Sequence, residues 1–141
     1  MTTAQVVKQW IEGPFAPTLS AQKEAIKLVR GGISYPDFII TITALGLERE
    51  TALDYLNIAP RTRARLKDKP LNSKQSEGLL RLVRVFSQAS HTLGNREKAW
   101  HWLEQPNRAL DGETPVSLLD TELGAQMVSD VLGRIEYGVF S

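Results

Sequence analysis

The stretch from Glu48 to Lys67 reads ERETALDYLNIAPRTRARLK, and its pattern decides which fold we expect. Its first half repeats apolar side chains at helical spacing and predicts a helix over residues 48–56. The short segment Asn57 to Ala59 predicts a turn. Pro60 suits the first position of a second helix, because the N–H that proline lacks would have no partner there. Helix, short turn and helix in this order predict a helix-turn-helix.

The second helix of this pair is expected to present a row of cations. Arginine or lysine occupies every second position from 61 to 67. Since alternate positions on a helix differ by about 200°, one pair of cations would face base edges and the other pair phosphates. An ordinary solvated basic face is the alternative. The residues expected to contact DNA are Arg61, Thr62, Arg63, Arg65 and Lys67.

These cations also predict how DNA binding would respond to salt. If four or five of them meet phosphates, the log–log slope of affinity against salt is about −4. A single helix-turn-helix binds weakly, so we expect a homodimer on a two-fold operator DNA.

The other segments predict helices as well, so the expected fold class is all-α. The segment 38–45 is ambiguous, because its Ile-Thr-Ile-Thr alternation also fits a strand. The serine before it and the glycine after it favour a helix. The expected N-caps are Thr18 or Ser20, Ser34, Thr114 and Thr121, and the expected core of the C-terminal part is Leu118, Leu119, Leu123, Val128 and Leu132.

Charge is strongly segregated along the 141 residues, although the net charge is only +1. Residues 61–84 carry eight basic and two acidic side chains, a net of +6. Residues 104–141 carry two basic and seven acidic side chains, a net of −5. A basic centre and an acidic end predict two partners of opposite sign.

Several function classes find little support in the composition. The chain has no cysteine and two histidines, which excludes disulfides and thiolate metal sites. It contains no P-loop, dinucleotide-binding glycine turn or HExxH motif, so an enzyme is the least supported class and no cofactor or metal is expected. His101 and Glu104 lie three residues apart on an expected helix, which favours a surface hydrogen bond over a metal site. No apolar run reaches membrane-spanning length, and we expect a cytoplasmic protein without a membrane role.

The C-terminal part carries the most specific motif. Its residues Trp102-Leu103, Pro106-Asn107, Leu110, Gly112, Thr114-Pro115, Leu118-Leu119, Thr121-Glu122 and Gly124 lead to the run LGRIEYGV over positions 132–139. This pattern resembles the toxin-binding C-terminal region of Xre/MbcA/ParS-type antitoxins. Residues 20–95 are similar, less specifically, to that family's Xre-like helix-turn-helix. The expected divisions are an N-terminal helix and linker (1–17), a helix-turn-helix region (18–95) and a small helical toxin-binding region (96–141).

The resemblance implies a type II antitoxin. Such a protein would inhibit a RES-domain toxin, encoded beside it and depleting NAD, by blocking the active-site cleft of that toxin. It would also repress its own operon, as a homodimer within a larger toxin–antitoxin complex, and would need no cofactor. The residues expected to bind the toxin are Asn107, Leu110, Arg134, Glu136, Tyr137, Gly138, Val139, Phe140 and Ser141.

Physical arguments support some of these toxin contacts and leave others open. Phe140 would anchor in an apolar slot of a partner, or would fold back onto the core of its own chain. Glu136 and the carboxylate after Ser141 would suit an electropositive cleft that binds the pyrophosphate of NAD. Arg134 would contact the partner or pair with Asp130 on its own helix.

Two further functions remain open at this point. The chain could be a stand-alone transcriptional regulator with a C-terminal ligand-sensing or dimerisation domain, or a helical adaptor with no DNA role. A neighbouring gene of RES type favours the antitoxin over the regulator. Salt-dependent DNA binding separates both from the adaptor.

Overall fold

The computed structural model describes residues 2–12 and 17–138, and every regular element within these ranges is helical. The expected all-α class is therefore confirmed, and the ambiguous segment 38–45 lies within a helix. The elements are α1 (Thr3–Glu12), α2 (Leu19–Gly31), α3 (Tyr35–Leu45), α4 (Arg49–Tyr55), α5 (Pro60–Arg63), α6 (Ser73–Leu93), α7 (Arg96–Leu103) and α8 (Glu122–Glu136), with 3-10 turns at Arg108–Leu110 and Pro115–Leu118.

Side-chain caps define where most of these helices begin. Thr18, Ser34 and Thr121 each accept a hydrogen bond from a backbone N–H in the first turn of their helix, as expected. Thr114 occupies the expected N-cap position before Pro115, but it differs from the other caps. Its side chain makes no cap bond, and Pro115 starts a 3-10 turn instead of an α-helix.

Two hydrophobic clusters form the core, and α6 contributes to both of them. Leu79 packs in an N-terminal cluster with side chains of α3 and α4, such as Phe38 and Leu53. Further along α6, Phe86 packs in a C-terminal cluster with side chains of α7 and α8, such as Leu132. The helix-turn-helix region and the C-terminal region therefore share one long helix.

The N-terminal helix belongs to this core. Val6 and Val7 are 0% and 1% exposed, and the Thr3 hydroxyl donates to Asp37 Oδ2 at 2.9 Å. Trp10 packs against the C-terminal cluster, and its carbonyl accepts a hydrogen bond from the Ser87 hydroxyl. Because α1 thus contacts both α3 and α6, it stabilises the junction of the two clusters.

A close backbone approach fixes how α8 lies on the turn before it. A Cβ atom added to Gly124 would stand 1.9 Å from the carbonyl oxygen of Leu118. No side chain fits there, so glycine allows α8 to pack directly on the 3-10 turn. Gly133 on the same helix is different, since an added Cβ would meet nothing within 4 Å.

Membrane insertion finds no support in these helices. Within residues 2–12 and 17–138, none is both long enough and apolar enough to cross a bilayer.

Candidate functional site

The second helix of the expected helix-turn-helix is much shorter than the sequence predicts. α5 ends at Arg63, whereas we expected a helix that continues to Lys67. Beyond it the chain continues in turns, with the N–H of Arg65 donating to Thr62 O at 3.0 Å and that of Asp68 donating to Arg65 O at 3.0 Å. The expected sharing of one helical face by Arg63 and Lys67 is therefore wrong.

Tertiary contacts explain why α5 ends early. Leu66 is only 4% exposed and packs in the N-terminal cluster. Because this side chain is buried, the chain turns toward the core after α5. Pro70 disfavours helical geometry at the residue before it. The N–H of Leu71 then donates to Ile33 O at 2.8 Å, which fixes the chain against the segment before α3.

Arg63 is held by the fold instead of projecting into solvent. Its guanidinium donates to Asp54 Oδ1 at 2.8 Å, Glu50 Oε2 at 2.9 Å and the carbonyl of Ile58 at 2.8 Å. Hydrogen bonds to Asp54 and then to Glu50 raise the pKa of Arg63 above its ordinary value. Arg49 adds a bond from its Nη2 to Arg63 O at 3.0 Å. Arg63 thus ties α5 to α4 and to the turn between them.

The other four residues expected to contact DNA are exposed. Arg61, Thr62, Arg65 and Lys67 all lie at the surface around α5. They have no side-chain hydrogen bond or ion pair with any described residue. Lys69, which the sequence analysis did not select, is exposed beside them.

The last helix has one buried face and one exposed stripe. Val128 and Leu132, both 0% exposed, lie on its core side. On the opposite side, positions 123, 127, 130, 134 and 137 follow a four-three spacing that keeps them within about 80° of one another. We call this set the outer stripe, and its members are Leu123, Met127, Asp130, Arg134 and Tyr137.

The apolar members of the outer stripe are well exposed. Leu123 is 75% exposed, Met127 45% and Tyr137 85%. The expectation that Leu123 belongs to the core is therefore wrong. Its angular position gives the reason, because it lies nearly opposite Val128 and Leu132 on the helix.

The loop before the second 3-10 turn is organised from within. The side-chain oxygen of Asn107 accepts a hydrogen bond from Ala109 N at 2.9 Å. The backbone N–H of Asn107 donates to Glu113 O at 3.0 Å. Leu110 is 4% exposed and packs in the C-terminal cluster. This burial contradicts the prediction that Leu110 is a surface contact for a toxin. Leu110 anchors the loop instead.

The expected toxin contacts near the chain end divide into exposed and undescribed residues. Arg134, Glu136, Tyr137 and Gly138 are all exposed, whereas the expected contacts at 139–141 lie outside the described residues. Arg134 forms no ion pair with a described residue, while Asp130 Oδ1 accepts from Gln126 Nε2 at 2.9 Å. Glu136 Oε1 lies 4.0 Å from Nε2 of His91, which is in the last turn of α6.

An ion-pair cluster that the sequence analysis missed joins α6 to α8. Arg81 Nε contacts Glu122 Oε2 at 3.1 Å, Arg84 Nη2 contacts Glu122 Oε1 at 2.5 Å, and Arg81 Nη1 donates to Leu119 O at 3.1 Å. Burial raises the pKa of Glu122, but the bonds and charges of the two arginines together lower it below its ordinary value. The charge of Glu122, counted in the acidic end, is therefore balanced within the fold by arginines counted in the basic centre.

Glu104, which lies three residues after His101, accepts a hydrogen bond from the Tyr55 hydroxyl. Burial and this bond raise the pKa of Tyr55 well above its ordinary value. Among the described residues, no group of three His, Asp or Glu side chains is placed to hold a metal ion.

The fold and the two exposed surfaces define a helix-turn-helix protein with an attached helical domain. Residues 24–84 match the model of the antitoxin Xre-like helix-turn-helix domain. Residues 88–138 match that of the antitoxin Xre/MbcA/ParS C-terminal toxin-binding domain. The boundary between the two matches falls inside α6.

Curated relatives carry antitoxin names. The chain is 42% identical over 81 residues to Antitoxin Xre of Yersinia enterocolitica, covering 57% of this chain and 55% of the relative. It is 43% identical over 68 residues to Antitoxin Xre of Photorhabdus laumondii, covering 48% and 46%. It is 30% identical over 129 residues to the Prs ADP-ribosylating antitoxin of Sphingobium sp., covering 84% and 81%.

These matches identify the family. The chain belongs to the Xre/MbcA/ParS family of antitoxins. It spans about half the length of the Yersinia and Photorhabdus relatives and most of the length of the Sphingobium relative.

Proposed function

We propose that the chain is the antitoxin of a type II toxin–antitoxin pair. It binds a RES-domain toxin encoded by the neighbouring gene and blocks the active-site cleft through which that toxin depletes NAD. The observation that supports this proposal is the outer stripe of α8, since it exposes three large apolar side chains on the domain whose family binds toxins.

The outer stripe suits a protein partner for a physical reason. Leu123, Met127 and Tyr137 lose hydration when a partner covers them, and an exposed tyrosine supplies both apolar area and a hydroxyl. Asp130 and Arg134 lie between them and cancel in charge. Recognition along the stripe therefore depends on shape and apolar contact more than on net charge.

The chain end is the part proposed to enter the cleft. A site that holds the pyrophosphate of NAD is electropositive, so the carboxylate of Glu136 is attracted to it. The proposed toxin contacts are Asn107, Arg134, Glu136, Tyr137, Gly138, Val139, Phe140 and Ser141. Leu110 acts through the loop that it anchors.

The second proposed activity is repression of the operon that encodes the pair. Arg61, Thr62, Arg65 and Lys67 contact operator DNA from the surface around α5, and Arg63 positions that surface through its bonds to α4. A homodimer places two such surfaces on a two-fold operator. This role places the protein in the cytoplasm with its DNA, and neither activity requires catalysis or a cofactor.

A second candidate for the toxin's reaction comes from one relative. The name of the Sphingobium relative associates that antitoxin with ADP-ribosylation of Prs. The toxin of this chain would then transfer ADP-ribose from NAD to a protein instead of depleting NAD. Both reactions use NAD, so the proposed block of the cleft is the same.

Co-expression with the neighbouring gene product tests the toxin-binding proposal. We expect the toxin alone to arrest growth, and the full chain to restore growth and to co-purify with the toxin. Cellular NAD and ADP-ribosylated proteins are measured together, because a fall in NAD indicates depletion whereas modified protein at normal NAD indicates transfer.

Removal of residues 139–141 tests whether the chain end is the inhibitor. We expect the shortened protein to fold normally, as judged by its circular dichroism melting curve, and to lose rescue of growth. Full rescue by this variant would contradict a role for the chain end in blocking the cleft. Rescue without co-purification of toxin would contradict direct inhibition.

The DNA-binding proposal is tested with Arg61→Ala combined with Arg65→Ala. We expect the operon to be derepressed while toxin rescue survives, because both side chains are exposed and without partners among the described residues. Retained repression would contradict the proposed DNA surface. Loss of both activities with an altered melting curve would mean that these arginines support folding instead.

A further inference from the structure

A cleft of about 250 Å³ lies between the turns after α5 and the beginning of α6. Its lining includes three cations, Arg61, Arg65 and Lys69, together with the Thr62 hydroxyl. None of the acidic residues within the described ranges lines it. Lys67 does not line it either, although it lies between two of the cations in sequence.

The backbone geometry explains why these three cations converge. Arg61 lies on α5, and Arg65 and Lys69 lie in the turns that follow it. One four-residue turn joins the last two, since the N–H of Lys69 donates to Arg65 O at 3.2 Å, and side chains at the two ends of such a turn lie on the same side. Arg63 lies half a turn away and is directed at α4.

The surroundings of the cleft favour a bound anion. Three cations at the edge of one cavity repel one another, and an anion held between them relieves that repulsion. Leu66 and Pro70 add apolar surface to the lining, and the attraction between charges is stronger next to apolar groups than in open water.

The beginning of α6 contributes little to this attraction. Its capping box is complete, with Asn72 Oδ1 accepting from Gln75 N at 2.7 Å and Gln75 Oε1 accepting from Asn72 N at 2.9 Å. These N–H groups are therefore already satisfied, and the three side-chain cations carry the charge.

We propose that this cleft is a phosphate site in which Arg61, Arg65 and Lys69 together hold one backbone phosphate of DNA. The inference rests on the proposed DNA-binding function and deepens it, because it adds Lys69 to the residues that contact the backbone and assigns three cations to one phosphate. Arginine binds phosphate through its planar fork and lysine as a point charge. Thr62 lies in position to donate its hydroxyl to the same phosphate.

Lys69→Gln and Lys74→Gln form a matched pair that tests the site. Both residues are exposed lysines near the beginning of α6, and they differ in whether they line the cleft. Binding of the full chain to a duplex from its own promoter and to an unrelated duplex is measured by fluorescence anisotropy over a range of salt. We expect Lys69→Gln to weaken binding to both duplexes by the same factor and to reduce the log–log salt slope by about 0.9. We expect Lys74→Gln to leave the slope unchanged.

The results separate this inference from the function on which it rests. An unchanged slope for Lys69→Gln, or equal losses for both lysine variants, would overturn the phosphate site while the DNA-binding function stands. Absence of any salt-dependent binding by the unaltered chain would overturn both. Equal melting curves of the two variants exclude a folding effect.

A free anion is the other source of the same chemistry. Inorganic phosphate is added alone at constant ionic strength while the backbone amide signals of Thr62 and Lys69 are followed by NMR. We expect these signals to shift when the duplex is added. Addition of phosphate should shift them no more than addition of chloride does. Saturable shifts with millimolar phosphate would identify a free-anion site and overturn the assignment to the DNA backbone.

Discussion

The segment after α4 and the last helix both carry many charges in the sequence, but they differ in which of these charges are paired in the folded chain. In the first region, Glu50 and Asp54 of α4 are bound to Arg63. Four exposed cations remain after it, and three of them line the cleft. In α8, Glu122 is bound to Arg81 and Arg84, and the exposed stripe is close to neutral. The basic surface thus remains after internal pairing, whereas the outer stripe of α8 carries no net charge.

This difference changes what each surface is suited to bind. The basic segment keeps enough unpaired charge for a polyanion, whose binding is governed by counterion release. The outer stripe offers apolar side chains in a regular row, which fit a protein surface better than a charged one. A count of charges in the sequence therefore does not show which of them are exposed and unpaired in the folded chain.

The largest expected effect concerns the close packing that supports the outer stripe. Gly124→Ala should lower the free energy of unfolding by about 2–3 kcal/mol, because the added methyl group meets the Leu118 carbonyl. Gly133→Ala on the same helix should raise it by about 0.5–1 kcal/mol, since the position is open and alanine favours helix. Urea denaturation of both variants measures this contrast. Equal effects would mean that α8 does not pack on the 3-10 turn as described.

Tyr137→Ala sharpens the view that the C-terminal surface binds through apolar contact. Because Tyr137 is 85% exposed, the free energy of unfolding should change by less than about 0.5 kcal/mol. Toxin affinity, measured by calorimetry, should fall about ten- to hundredfold. Leu19→Ala, at an exposed apolar residue of α2, serves as the control and should leave toxin affinity unchanged.

Arg63→Gln and Arg61→Gln distinguish a paired from an unpaired cation on the DNA side. Arg63→Gln should lower the melting temperature by a few degrees, because it breaks the bonds that join α5 to α4. Arg61→Gln should leave the melting temperature unchanged and weaken DNA binding about tenfold. Thermal melting and anisotropy titration on both variants provide the data. Equal changes of melting temperature and of DNA affinity in the two variants would contradict the distinction between a paired and an unpaired arginine.

The smallest effect tests the ion pairs that neutralise part of the acidic end. Glu122→Gln should cost about 1 kcal/mol at pH 7, because Glu122 is partly screened by solvent while Arg81 loses a charged partner near the core. The pKa of Glu122 is lowered by folding, so its contribution is complete above the ordinary value of 4.5 and is lost as the pH falls through the lower folded value. The stability difference between the two proteins should therefore shrink below about pH 4. Glu113→Gln, in the exposed loop, should show no such pH dependence.

Much of the fold could be predicted from local sequence signals. The caps at Ser34 and Thr121 and the helix-favouring flanks of the segment 38–45 all indicate helices that the structure contains. Such signals act within a few residues of chain, so they need no knowledge of the rest of the molecule. The motif at the chain end likewise led to the family that the comparisons identify.

The sites were harder to predict, because they depend on contacts between distant residues. The length of α5 is set by the burial of Leu66 and the bond from Leu71 to Ile33. Leu110 looked like a partner contact and is a core residue. The prediction that Leu123 belongs to the core could have been avoided from the sequence alone. On a helical wheel, Leu123 lies opposite the face that carries the core residues.

The amino-acid sequence by itself determined the helical class, the order of the elements and the family of this protein, because helix caps, apolar periodicity and short motifs act locally. Tertiary structure alone decided which charges remain free. Arg63, Arg81 and Glu122 meet partners that are 9 to 41 residues away in the chain, and only folding brings such groups within hydrogen-bonding distance. The pairing of a charge depends on this proximity, since Coulomb attraction in water is weak beyond a few ångströms.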